Sequence, residues 1–162
     1  MDWKEFISHA YQSSPEDDEW EDAERNPIFY PPASFADIRQ LELAMHMELP
    51  QLLKELLLTT NGFGEVLVFA DGREDISYGT VLLNTKEIEE YTSYFRSSGF
   101  DTNIEFKEMV FFATPGVDGI YFSVRKNEET IYAWYPMDRA FQPVSSNLSD
   151  FIFDWLSNAL EY

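Results

Sequence analysis

The side chains able to do chemistry are few and scattered. The 162 residues contain no cysteine, which removes thiolate nucleophiles, disulfides and cysteine-based zinc sites together. The two histidines, His9 and His46, lie far apart on different expected helices, near apolar faces or helix ends. Packed or exposed structural histidines account for them without a ligand. No Gly-x-Ser-x-Gly elbow presents a serine nucleophile. Gly62-Phe63-Gly64 is a fragment of a dinucleotide loop, but it lacks the third glycine and precedes a strand instead of a helix. Asp71, Glu74 and Asp75 offer hard oxygens suited to calcium or magnesium, yet their spacing departs from the EF-hand loop, and a solvated hairpin turn is the simpler account. Asp101 with Glu105-Phe106-Lys107 is too short a pattern to define a nuclease metal site. No catalytic residue, metal or cofactor is assigned.

Charge says more than any motif. Thirty acidic residues against eleven basic ones leave a formal charge of −19. Such a chain repels phosphate backbones and anionic membrane surfaces, so neither nucleic acid nor membrane is an expected partner. A basic protein, by contrast, is drawn to it by electrostatic steering. Solubility is the plainer use of the same acidity. Aromatic residues make up 17% of the chain, enough to fill a core and to leave a few rings for contact. The amino terminus lacks the basic-then-apolar pattern of a signal peptide, and no apolar run approaches bilayer-spanning length. The expected compartment is the cytoplasm.

The elements that must position these side chains follow from periodicity. Asp2 with Glu5 caps a helix that turns Trp3, Phe6, Ile7, Ala10 and Tyr11 inward. The stretch from residue 12 to 30 is acid-dense, with Glu16, Asp17, Asp18 and Glu19 around Trp20, and like-charge crowding predicts a loosely ordered segment. Ser34 with Asp37 opens a second helix with Phe35, Ile38, Leu41 and Met45 on one face. Leu49-Pro50 starts a third, which Asn61-Gly62 closes. Strands are expected over Glu65–Phe69 and Ile76–Leu83, joined by the polar turn Asp71-Gly72-Arg73-Glu74-Asp75. Asn84 with Glu87 caps a further helix, carrying Ile88, Tyr91 and Phe95 and ending at Gly99. Three more β-rich runs, Met109–Ala113, Ile120–Val124 and Thr130–Tyr135, precede a last helix from Asn147 with Phe151, Ile152, Trp155, Leu156 and Ala159 inward. This order predicts one α+β domain with a largely antiparallel sheet of about five or six strands, flanked by the helices.

The segment Pro32–Gly64 resembles the amino-terminal signature of the SUKH (Smi/Knr-like) superfamily. The resemblance rests on Ile38, Glu42, Leu49-Pro50, Leu53, Leu57 and Asn61-Gly62-Phe63-Gly64 in that order. Val117-Asp118-Gly119-Ile120-Tyr121, Trp134 and Leu148-Ser149-Asp150-Phe151 are similar to the family's later elements, so the likeness covers roughly residues 32 to 156. It implies a non-catalytic immunity protein that binds and neutralises a cognate, basic bacterial toxin of nuclease type. A regulator or scaffold for a cellular partner, as in cell-wall assembly, is the alternative within the same superfamily. The expected partner-binding residues are Asp71, Glu74, Asp75 and Asp118 on turns, with Glu16, Asp17, Asp18, Glu19 and Trp20 in the acidic segment. The chain itself is expected to be a monomer or a weak homodimer.

Overall fold

The computed structural model describes residues 1–15 and 23–162. Five α-helices, a short 3-10 turn (Phe106–Glu108) and one sheet of seven strands are formed by the described residues. Helix α1 (Trp3–Gln12) begins where the Asp2 carboxylate accepts the backbone N–H of Lys4 and Glu5, each at 3.1 Å. That contact satisfies two of the donors a helix start leaves orphaned. Helices α2 (Phe35–Met45) and α4 (Thr85–Arg96) each begin with a reciprocal capping box, Ser34 with Asp37 and Asn84 with Glu87. Helix α3 (Gln51–Thr59) starts directly after Pro50, and α5 (Leu148–Leu156) is capped by Asn147, which accepts from the Asp150 N–H. No helix among the described residues is long and apolar enough to cross a membrane.

The strands are β1 (Ala23–Phe29), β2 (Phe63–Phe69), β3 (Glu74–Leu82), β4 (Met109–Thr114), β5 (Tyr121–Arg125), β6 (Ile131–Tyr135) and β7 (Ala140–Ser145). They lie side by side in chain order, every neighbouring pair antiparallel. Two of them, β1 and β7, raise the count above the expected five or six. Both are edge strands, and each carries a proline (Pro27 and Pro143), which has no N–H to offer a ladder. At the β7 edge the Asn103 side chain also takes up backbone groups. It donates to the Phe141 carbonyl and accepts the Phe141 N–H, both at 2.8 Å.

The order found over residues 23–29 corrects the expectation that the acidic segment runs loosely to residue 30. Strand β1 is held by seven register pairs to β2 and by a buried ion pair. Arg25 donates from Nε and an NH2 group to Glu65 Oε2 at 3.1 and 2.8 Å, and from NH1 to the Leu156 carbonyl at 3.3 Å. Glu65 is only 3% exposed, so Arg25 supplies the charge it needs.

Helices α1, α3 and α5 cover one face of the sheet. There Trp3, Ile7, Leu53, Leu56, Phe63, Phe112, Phe122, Phe151 and Trp155 close the main core. The opposite face of β4–β7 carries a second cluster of Phe95, Phe106, Met109, Phe111, Trp134 and Phe141. Its rings meet mostly edge-on or tilted, the arrangement their quadrupoles favour. Strand β3 pairs with β4 only at Val81 and Leu82. The β1–β3 ribbon therefore runs on past the edge of β4.

Three local expectations need correction. Phe35 shares the helical spacing of Ile38 and Leu41 but is 82% exposed, because it occupies the first position of α2, ahead of the turn that packs. Ala159 lies beyond the last helix and is exposed; Asn158, at φ 59°, has already turned the chain. Gly62 does not close α3, which ends at an extended Thr60. It sits at φ +84° where a Cβ would stand 2.7 Å from the Leu82 carbonyl oxygen, so close approach of two backbones requires glycine there.

Candidate functional site

The residues of the superfamily signature turn out to hold backbone. Glu42 accepts the Leu49 N–H at 2.9 Å and pairs with Lys54 at 3.1 Å, so one carboxylate on α2 fixes the approach to α3. Asn61 accepts the Thr85 N–H at 2.9 Å and so docks the start of α4. A groove of about 750 Å³ opens between α2 and α4, and part of its polar lining is committed to such duties. Asp37 and Asn84 serve their capping boxes there and Asn61 serves Thr85. A second cavity of about 330 Å³ lies beside Arg25, Glu65 and Thr80. Neither is lined by a histidine. His9 is exposed on α1, and His46 is exposed just past the end of α2. Among the described residues no group of three or more His, Cys, Asp or Glu side chains is placed to hold a metal ion.

Beside the second cavity, Tyr11 is held well above the usual phenol range, first by burial and then by the charge of Glu65. Its ring also lies under the Arg25 guanidinium at 5.1 Å. Tyr121 is pushed up to about 12 by burial and by its neighbour Tyr91. Both hydroxyls stay protonated at neutral pH, and the carboxylate beside Tyr11, that of Glu65, is already held by Arg25. Tyr11, Arg25 and Glu65 thereby join α1 to strands β1 and β2.

The predicted turn carboxylates lie on the surface at one end of the sheet. Asp71 sits in the β2–β3 turn, where its Oδ1 accepts the Arg73 N–H at 3.0 Å. Glu74 and Asp75, expected within the turn, open β3 instead and are exposed. Asp75 stands 3.8 Å from Arg73, with both side chains more than half exposed, a geometry that contributes little. Asp118 lies in the β4–β5 turn at φ 52°, a conformation aspartate tolerates. Alternate turns of the meander point the same way, but Val81 near the end of β3 is level with Thr114 at the end of β4, so the β2–β3 turn projects well past the β4–β5 turn and Asp71 does not meet Asp118. Glu16, Asp17, Asp18, Glu19 and Trp20 lie outside the described residues.

The β4–β5 and β6–β7 turns hold exposed side chains that no sequence pattern announces. Met137, in the β6–β7 turn, is 91% exposed, and Val117 is half exposed in the β4–β5 turn. The two turns touch, since a Cβ on Gly119 would meet Pro136 Cγ at 3.3 Å. Asp138 adds a further carboxylate. Arg139 in the β6–β7 turn lies over Phe100 at 5.2 Å, and in the separate β2–β3 hairpin Arg73 lies over Phe69 at 4.3 Å. Pro136-Met137-Asp138 reads as a turn only once β7 is known to follow, and β7 has no alternating pattern to announce it.

Fold and surface together define an α+β protein, helices on an antiparallel meander whose turns expose carboxylates. The model of the SMI1/KNR4 family (SUKH-1) matches residues 32–154, and the chain belongs to that family. Its superfamily comprises immunity proteins and regulators that bind other proteins and are generally non-catalytic. A search of curated proteins finds no match to this chain.

Proposed function

We propose that the chain is a non-catalytic immunity protein that binds and neutralises a cognate bacterial toxin, a basic nuclease-type domain, in the cytoplasm. The observation that carries this reading is the charge of −19 on a member of a protein-binding family, with carboxylates exposed on the sheet's turns. Carboxylates stand in for the phosphates that a nuclease surface is built to attract. Covering that surface blocks the substrate without any chemistry by the inhibitor. The long-range field raises the encounter rate, and apolar contacts then slow dissociation. The whole chain acts as one unit in this reading, as a monomer or a weak homodimer when free.

Gene context and survival test it. The chain should be encoded just downstream of a large toxin gene, and its co-expression should rescue cells that otherwise die from that toxin's terminal domain. A neighbour without toxicity, or toxicity that persists with both proteins folded and abundant, contradicts the reading. A complex with a non-toxic cell-wall protein would favour the regulatory alternative instead.

A further inference from the structure

The β1–β3 ribbon has two unlike faces. Alternation along paired strands places Arg25, Leu67 and Asp75 in one cross-strand row, and Phe63 and Glu65 share their face. This face meets the core, because Arg25 bonds the carbonyl of Leu156 in α5 and Phe63 is fully buried. The reverse face carries the row Asn26–Val66–Ile76, the row Glu24–Val68–Glu74, and Ile28 paired with Gly64. Ile28, Val66, Val68 and Ile76 belong to neither hydrophobic cluster, and Ile76 is 64% exposed. Over β4–β7 the corresponding face is closed by Phe95 and Phe106. Nothing equivalent from the described residues closes it over β1–β3.

We infer that this outer face of the ribbon is the surface that docks the basic partner, an inference that rests on the toxin-binding reading. Its composition is that of an interface, branched aliphatics at the centre and exposed carboxylates at the margin. Glu24 and Glu74 flank Val68 across the ribbon, and Asp71 stands at its tip. Charge complementarity selects the occupant. A second copy would set Glu24 and Glu74 against like charges on a chain of −19, whereas a cationic surface with an apolar centre satisfies both parts. Addition of a strand at the β1 edge is hindered by Pro27. The inference divides the turn carboxylates: Asp71 and Glu74 belong to the contact, while Asp75, on the ribbon's other face, and Asp118 lie outside it.

The test measures binding to the terminal domain of the adjacent toxin gene's product, inactivated at its active site. Ile76→Arg should weaken the complex by about 30-fold or more, chiefly through faster dissociation. The pair Glu24→Lys and Glu74→Lys should slow association by about tenfold and flatten its salt dependence. Asp118→Lys should change affinity by less than about threefold, as a charge outside the contact does. Hydrogen exchange on the unmodified complex should protect amides over 64–68 and 74–77, a readout independent of any variant's folding. Wild-type binding without that protection, or unaltered by a folded Ile76→Arg variant, overturns the surface assigned here and leaves the toxin-binding reading standing. Absence of wild-type binding overturns the reading itself, and a self-dimer protected over the same residues overturns the choice of occupant.

Discussion

Replacing Arg25 with alanine should destabilise the whole protein, out of proportion to its place on an edge strand. The substitution removes three hydrogen bonds, two to Glu65 Oε2 and one to the Leu156 carbonyl. It leaves a carboxylate whose side chain is 5% exposed without a countercharge. Breaking a buried pair from one side costs about 3–5 kcal/mol. Arg25 is itself one-fifth exposed, so water can reach the vacated site, and the lower end, about 3 kcal/mol, is the expectation. Stabilities of small proteins lie near 5–15 kcal/mol, so this is a large fraction of the total. At about 2–4 °C per kcal/mol for a chain of this size, the melting temperature should fall by about 6–12 °C. Urea unfolding followed by tryptophan fluorescence and calorimetry both measure it. The double variant Arg25→Met/Glu65→Leu removes both charges and should recover to within about 1 kcal/mol of the parent, because an apolar pair needs no countercharge. A loss below about 1 kcal/mol for Arg25→Ala, the level of an exposed pair, would refute the reasoning and the docking of β1 with it.

The same unfolding assay reads three further effects. Gly62→Ala should cost about 2–5 kcal/mol, combining a left-handed backbone with a displaced Leu82 carbonyl. Gly72→Ala, at the same φ but with nothing within 4 Å, should cost about 1–2 kcal/mol; equal losses would mean that the close approach at Gly62 is not what demands glycine. Glu42→Ala should lose about 1–3 kcal/mol by stranding the Leu49 N–H, Lys54 keeping Glu48, while Glu48→Ala, on the same lysine but 81% exposed, should leave the midpoint in place. Tyr11 and Tyr121 in the folded protein titrate above the unfolded value near 10, so their contribution is intact below about pH 10 and is lost as pH rises through the folded values. Tyr11→Phe should therefore flatten the decline in stability above pH 10, and an unchanged alkaline slope would count against it.

The parts of this fold legible in the sequence are those set by local chemistry. Ser34 with Asp37, Asn84 with Glu87, and Asp2 each announce a helix start, because the side chain that caps lies within three residues of the N–H it accepts. Strands β2 to β6 were visible as apolar or β-branched runs. What could not be read locally is what distant residues supply. Strand β1, Ala-Glu-Arg-Asn-Pro-Ile-Phe, has no alternation; it is a strand because β2 pairs with it and because Glu65, 40 residues on, takes its arginine. Strand β7 turns only Phe141 fully inward and depends on Asn103 at its open edge. The candidate site follows the same division. The hairpin acids were marked by their turn chemistry, but the face beneath them exists only in the register that sets Val66 beside Ile76 and Val68 between Glu24 and Glu74. Phe35 was misread because helical spacing does not tell where along its length a helix is covered.

The central claim is that this anionic protein works by capturing something cationic. Stopped-flow association with the inactivated toxin domain across a range of sodium chloride concentrations tests it most directly. The account predicts a rate that falls steeply as salt rises while dissociation changes little. A rate indifferent to salt, or no association at all, would contradict it.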